Sequence, residues 1–418
     1  MAADPLLPVA VALERILAAV PLMPAEETAV SQALGRVTAE PVRSRRTQPP
    51  MAMSAMDGYA VRASDVGRVP TTLTRVGSAP AGGSYGHPLQ AGQTVRIFTG
   101  GPVPDGADSI VIQEDVDAES ENNGARITVR EAAFVGRYIR PAGLDFEIGD
   151  VGVSAGRAIT ARDVGLAAAM NVPWIMVRRR PKVAILATGD EIVRPGEPVG
   201  PNQIVSSNSY ALSALVRACG GEPVVLGIAP DTIEGIQQLV RGARGADLVL
   251  TTGGASVGEH DLVQKALGTE AFGPGGLEVD FWRIAMRPGK PLIFGKVGDI
   301  PMLGLPGNPV STLVCAMIFV KPAIEAMLGL ERQAAPSSQA RLGAALTPND
   351  QRQDYLRATL AIDENGERIA TPFNRQDSSM LARLAQADCL IIRPAHDPAR
   401  AKGDWMAILE LSGSLISL

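Results

Sequence analysis

Strand-like and helix-like segments alternate between residues 181 and 330, and no other feature of the chain constrains its fold as strongly. "KVAILAT" (182–188), "PVVLGI" (223–228) and "DLVLTT" (247–252) are short apolar runs of the kind that form buried strands. Between them, "SNSYALSALVRACGG" places Leu212, Leu215, Val216 and Cys219 on one helical face, and "DTIEGIQQLVRGA" reads as a second helix. Strand, helix, strand, helix, strand predicts a parallel sheet with helices on its faces. Such sheets bind ligands beyond the carboxyl ends of their strands. Two of those ends read "ATGDE" and "TTGGASVGEHD", each with Thr, Gly and carboxylates.

With 418 residues the chain is too long for one ordinary domain, and two to four are expected. Val9, Leu13, Ile16 and Val20 share a helix face that Pro21 and Pro24 end, and a second short helix is expected to run to Leu34, with Gly35 after it. Residues 47–148 are rich in Gly, Pro and short apolar runs, which predicts a β-rich domain. "TARDVGLAAAMNV" (160–172) returns to helix, with Thr160 as N-cap and Asp163 three residues on. Segments 1–46 and 149–180 are therefore expected to pack together as a helical linker domain, with the β-rich domain inserted between them. Residues 181–330 form the α/β domain, and the short strands of 335–418 predict a small β-barrel or sandwich. The fold class expected is α/β plus β, in an elongated multi-domain chain.

Composition removes several functions. The formal net charge is −5 and no basic run stands out beyond Arg178–Arg180, so nucleic acid is not expected as a partner. Cys219, Cys315 and Cys389 are far apart, as are His87, His260 and His396, which argues against a disulfide scaffold or a zinc knuckle. The N-terminus is acidic where a signal peptide is basic. The most apolar helix candidate, Val310–Val320, has about half the length of a membrane span. No membrane association and a cytoplasmic location are expected.

Seven segments carry candidate chemistry. In "TTGGASVGEHD", Gly253, Gly254 and Ser256 offer backbone N–H groups to a phosphate, and Glu259 and Asp261 offer oxygens to Mg²⁺. An ordinary strand-to-helix turn is an equally good reading of that loop taken alone. "ATGDEI" adds Asp190 and Glu191 at a neighbouring strand end, and Asp231 opens a capping-box-like "DTIE". "FWRIAMRPGKPLIFG" reads as a hairpin with Arg283 and Arg287 on one face and Lys290 nearby, a cationic group suited to an anion or to a solvated edge. "GLPGNPVST" sets Asn308 as a cap and Pro309 in the first helical turn, with Pro306 before them. "MSAMDGYAV" and "FTGGPVPDGAD" supply Asp57 and Thr99 in the β-rich domain, where Asp57-Gly58 also reads as a plain turn.

"MSAMDGYAV", "FTGGPVPDGADSIV", "ATGDEI", "TTGGASVGEHDLV" and "MRPGKPLIFG…LPGNPVST" occur in this order, and by that ordered set the chain resembles the MoeA family, molybdopterin molybdenumtransferases similar to the gephyrin E domain. The resemblance covers essentially the whole chain. It implies a MogA-like α/β domain at 181–330 and insertion of molybdate into adenylylated molybdopterin with release of AMP. It also implies Mg²⁺ as cofactor, a cytoplasmic homodimer and contact with other molybdenum cofactor biosynthesis proteins. By position, Asp57, Thr99, Asp145, Glu191, Asp231 and Asp261 match the family's catalytic residues, with Glu191, Asp261 and Asp57 toward the metal. Pro306 and Pro309 match the prolines of its LPGNP turn, and Arg357 and Ser378 (or Ser379, one residue on) a C-terminal Arg and Ser facing the same cleft. Arg283 and Arg287 stand where the family commonly has lysines, with Lys290 kept; a guanidinium fork is not an ammonium point charge. An adenylyltransferase on molybdopterin and a non-catalytic scaffold are the rival readings.

Overall fold

The computed structural model describes residues 6–253, 262–268, 276–330 and 338–411. The central sheet runs in the order Glu222–Ala229, Lys182–Thr188, Leu248–Thr252, Ile300–Leu305, Pro291–Val297, Leu277–Arg283. Its first four strands are parallel, and the last two join antiparallel. The sheet is thus mixed rather than purely parallel, because Pro291–Val297 and Ile300–Leu305 are linked by a turn too short for a helical crossover. Side chains alternate across each strand, and both faces are covered. Val183, Ile185, Leu248 and Leu250 pack on one side with the helices Asn208–Ala218 and Pro309–Met327. Ala184, Leu186 and Val249 pack on the other with Ile233–Val240 and Leu262–Leu267. Each such fully buried aliphatic side chain contributes roughly 1.5–3 kcal/mol.

The helix that follows "LPGNP" is longer than its sequence pattern indicated. It runs from Pro309 to Met327, 19 residues, long and apolar enough to cross a membrane by length and composition. Val310, Val314, Ala316, Phe319, Val320, Ala323, Ile324 and Met327 are nevertheless buried within the central core, as in a core helix. Ala316–Val320 forms a π-helical turn just before Pro322. A proline there has no N–H for the ordinary i−4 bond, and the wider turn accommodates its ring.

The N-terminal helix, Val9–Ala19, does not join the linker domain. Val9, Ala12 and Ile16 enter the central core and meet Lys321–Met327. The expected second helix is instead a strand, Ala25–Ala29, and a 3₁₀ turn, Val30–Gln32. "AEETA" has no apolar stripe to bury as a helix, and its backbone pairs antiparallel with Trp174–Arg178. Ala161–Ala169 is helical as expected, capped by Thr160 and Asp163 reciprocally, and packs on Val42, Val153 and Ile175.

The inserted region holds a six-stranded sheet ordered Ser109–Ile112, Gly58–Val61, Gln93–Ile97, Thr71–Ala79, Arg126–Val129, Val116–Ala118. The C-terminal strands Gln353–Ile362, Arg368–Pro372, Ser338–Leu342, Trp405–Glu410 and Cys389–Arg393 close on themselves, because the last also pairs with the first. This is a barrel, which leaves no free edge among those five.

Candidate active site

Thr188 and Thr252 end adjacent parallel strands, and three loops meet beyond them. Gly253 has φ +91°, and a Cβ there would stand 2.4 Å from the Thr188 carbonyl oxygen. Only glycine serves both the left-handed backbone and that approach. The Asn208 amide donates to Thr252 Oγ1 at 2.8 Å and to the Gly307 carbonyl at 2.7 Å, tying the second and third loops together. Asn208 Oδ1, Ser209 Oγ and Thr188 Oγ1 are buried without a hydrogen-bond partner among the described residues. Buried polar atoms are nearly always paired, so unpartnered ones beside glycine N–H groups at this edge mark a ligand crevice. Gly254, Ser256 and Asp261 lie outside the described residues.

The acids are arranged differently from the sequence expectation. Asp190 Oδ1 accepts from the Asp231 N–H at 3.1 Å, and Asp231 Oδ2 accepts from the Asp190 N–H at 3.4 Å. Each carboxylate thus clasps the other's loop and keeps one oxygen for a further partner. Asp231 is not the helix cap: Thr232 is, its side chain accepting from the Gly235 N–H. Glu191 folds back over Gly189, where a Cβ would stand 2.7 Å from Glu191 Oε2. No three His, Cys, Asp or Glu side chains converge among the described residues, so Glu191 and Asp57 are not assembled into a metal cage there. The Asp190–Asp231 pair does fit Mg²⁺, which binds through one or two carboxylates plus substrate phosphates and keeps several waters.

The expected cationic face is also divided. Arg283 ends the strand Leu277–Arg283, but Met286–Arg287 leaves the sheet to pair with Gln353–Asp354 of the barrel. Arg287 therefore shares no face with Arg283, and it engages Asp350, Asn349 and Asp354 rather than awaiting an anion. Lys290 is exposed, with no side-chain partner among the described residues.

Asn308 occupies the N-cap position before Pro309, yet its side chain makes no cap bond. Its amide donates to Ser378 Oγ at 2.9 Å, and the Val310 N–H donates to the Ser378 carbonyl at 3.1 Å. Pro306 is buried at the root of the turn, its carbonyl accepting from Thr252 Oγ1 at 3.4 Å. Ser379 is committed elsewhere, its N–H and hydroxyl both donating to Asp377 Oδ1, which leaves Ser378 as the serine facing "LPGNP". Arg357 is only 1% exposed. Its Nε and N–H donate to Gln376 Oε1 and its NH1 to the Met380 carbonyl, so it braces the loop bearing Ser378 from within. Burial pulls its guanidinium below the ordinary value, opposed by Asp377.

In the inserted domain, Asp57 Oδ1 accepts from both the N–H and the hydroxyl of Thr99, each at 2.7 Å. The backbone bond first, then the hydroxyl, hold this carboxyl below its usual range, with a smaller contribution from Arg96. Arg96 lies between the rings of Tyr59 and Phe98 and donates to the Gly58 carbonyl and Gln113. A Cβ at Gly58 would stand 2.1 Å from the Val111 carbonyl oxygen, which fixes glycine after Asp57. Asp145 is exposed in the turn returning from the inserted domain, its N–H donating to the Gln48 carbonyl. Asn208, Thr188 and Arg96 were not singled out from sequence. The polar start of "SNSYALSAL" was the available signal for Asn208.

An α/β sheet with polar groups gathered at its carboxyl edge, flanked by a barrel loop and joined to an inserted β domain, defines a multi-domain α/β protein of the kind that binds ligands at a sheet edge. Residues 7–171 match the MoeA N-terminal region (domains I and II), 184–326 a probable molybdopterin binding domain, and 339–411 the MoeA C-terminal region (domain IV). A molybdopterin molybdenumtransferase of Nostoc sp. is 35% identical over 90% of this chain and 86% of its own length. One of Haemophilus influenzae is 34% identical over 87% and 88%. Crystal structures of molybdopterin biosynthesis moeA protein from Pyrococcus horikoshii are 30% and 26% identical and superpose with TM-scores of 0.84 and 0.81, covering 98% and 97% of this chain and 100% and 99% of theirs. The chain belongs to the MoeA family.

Proposed function

We infer that the protein is a molybdopterin molybdenumtransferase of molybdenum cofactor biosynthesis, which takes adenylylated molybdopterin and molybdate and releases AMP. The observation that carries this reading is the crevice where Gly253, Asn208 and Gly307 converge, within a chain similar to molybdopterin molybdenumtransferases over nine-tenths of its length. Thr188 Oγ1 and Asn208 Oδ1 supply the polar atoms that orient the adenylylated pterin, and the glycine N–H groups receive its phosphates. Lys290, exposed beside the Pro-Gly turn, faces the anions as a point charge. Ser378 serves the molybdate end. Asp190 and Asp231 would hold Mg²⁺, which would supply charge neutralisation at the phosphoanhydride. The protein's own part is positioning and electrostatics.

The reading extends to a cytoplasmic homodimer in contact with other molybdenum cofactor biosynthesis proteins. Asp57 then acts across the dimer, because the α/β crevice supplies glycines and acids on one side only. The test is incubation with adenylylated molybdopterin, Mg²⁺ and molybdate, following AMP. Release that depends on all three supports the reading. Adenylyl transfer from ATP without molybdate, or no AMP at all, rejects it.

A further inference from the structure

We propose that Asn308 is a positioning residue that latches the barrel loop 376–380 over the crevice, so that the pterin end and the oxyanion end of the site move as one body. The inference rests on the transferase reading for its kinetic consequence but not for its geometry.

Three observations converge. Asn308 stands where an asparagine normally caps a helix, and it forgoes that bond. Its amide reaches instead to Ser378 Oγ, seventy residues away in another domain. The helix N–H that a cap leaves unpaired is not left to solvent either: the Val310 N–H donates to the Ser378 carbonyl. One residue of the barrel thus receives both bonds.

The latch continues into the crevice. Gly307, next to Asn308, accepts through its carbonyl from Asn208, which also holds Thr252. The path Thr252, Asn208, Gly307, Asn308, Ser378 links the strand end that faces the pterin to the serine that faces the oxyanion. On the barrel side the loop is braced by Arg357 through Gln376 and Met380, so Ser378 is fixed from both sides. A serine hydroxyl held this way is aimed before its ligand arrives, and preorganisation of that kind lowers the concentration of ligand needed. Without the Asn308 amide, the loop keeps its inner brace, and its outer side rests on the Val310 N–H bond alone.

The first arm of the test needs no substrate. In the unliganded protein, Asn308→Ala is expected to raise amide exchange at Val310 and across 376–380 by about fivefold, with Leu248–Leu250 unchanged. Asn308→Asp restores the protection, because its carboxylate accepts from the Ser378 hydroxyl. Unchanged exchange in Asn308→Ala overturns the latch. The second arm is kinetic. Asn308→Ala is expected to raise half-saturating molybdate about fivefold while direct titration with adenylylated molybdopterin is unchanged. The effect should vanish in a Ser378→Ala background. Additive effects, or equal loss of pterin binding, overturn the link between latch and oxyanion. If exchange rises as expected but the wild-type protein releases no AMP, the transferase reading fails and the latch stands.

Discussion

Thr99 gives Asp57 two donors on one oxygen, and that pair decides the charge state of the inserted domain's acid. The folded-state pKa is lowered, so the bonds stabilise the fold above the ordinary carboxylate range and are lost as pH falls through the lowered value. Thr99→Val removes the hydroxyl and keeps the larger, backbone donor. Carboxyl NMR titration should therefore show Asp57 moving only part of the way back to its ordinary pKa; a full return would mean that the backbone bond depends on the hydroxyl. Gly253→Ala tests the other face of the site. Its Cβ would meet the Thr188 carbonyl oxygen at 2.4 Å, at φ +91°, and thermal unfolding should show a loss of about 1–3 kcal/mol together with weakened pterin binding. Residue type marks Gly253, while Asp57 and Thr99 are marked by their places in family motifs. Sequence alone did not join Asp57 to Thr99, because 42 positions separate them and only the pairing of Gly58–Val61 with Gln93–Ile97 brings them together. Asn308 shows the opposite failure: local rules made it a cap, and a partner from another domain took its amide.

Among elements, the strands were the most legible. "KVAILAT" and "DLVLTT" lie buried because both faces of each strand carry apolar residues, and that is a local property. The helix Pro309–Met327 was legible in kind but not in length, since Pro322 reads as a stop and the π turn before it absorbs the ring. Phe319 sits in that turn, fully buried against the central core. Phe319→Ala should cost about 3–5 kcal/mol in urea unfolding, by lost transfer energy and the cavity left behind. A cost under about 1 kcal/mol would mean that the turn closes over the gap, and that the π segment is soft rather than packed. The strand "AEETA" is illegible locally, because its pairing with Trp174–Arg178 is a long-range event that no window of sequence contains. The two-residue strand Met286–Arg287 is illegible for the same reason: its partner is in the barrel, and that partnership also consumes the arginine expected to meet an anion.

At the scale of the molecule, the boundaries expected near 47, 148, 181 and 335 follow changes in composition; the inserted sheet draws its strands from Gly58 to Val129, while the barrel sheet takes in Met286–Arg287 from the α/β region. The N-terminal helix crosses those boundaries: it is held by the central core, because its apolar face fits beside Lys321–Met327, which the sequence could not rank above Ala161–Ala169. The arrangement leaves Asp57 on the inserted sheet and Asp190, Glu191 and Asp231 at the end of the central one. A symmetric dimer that brings the first group of one subunit to the second group of its partner would complete two equivalent clefts. Two variants that spare the core test this, Asp57→Ala and Asp231→Ala, each expected to be inactive alone and mixed under conditions that exchange subunits. If the groups act in trans, every mixed dimer has one cleft with both lesions and one with neither, and AMP release returns. If they act in cis, every cleft carries one lesion and the mixture stays inactive. Verified heterodimers without activity would sink the shared cleft while leaving the α/β crevice untouched, because the Gly253–Asn208–Gly307 contacts lie within one chain.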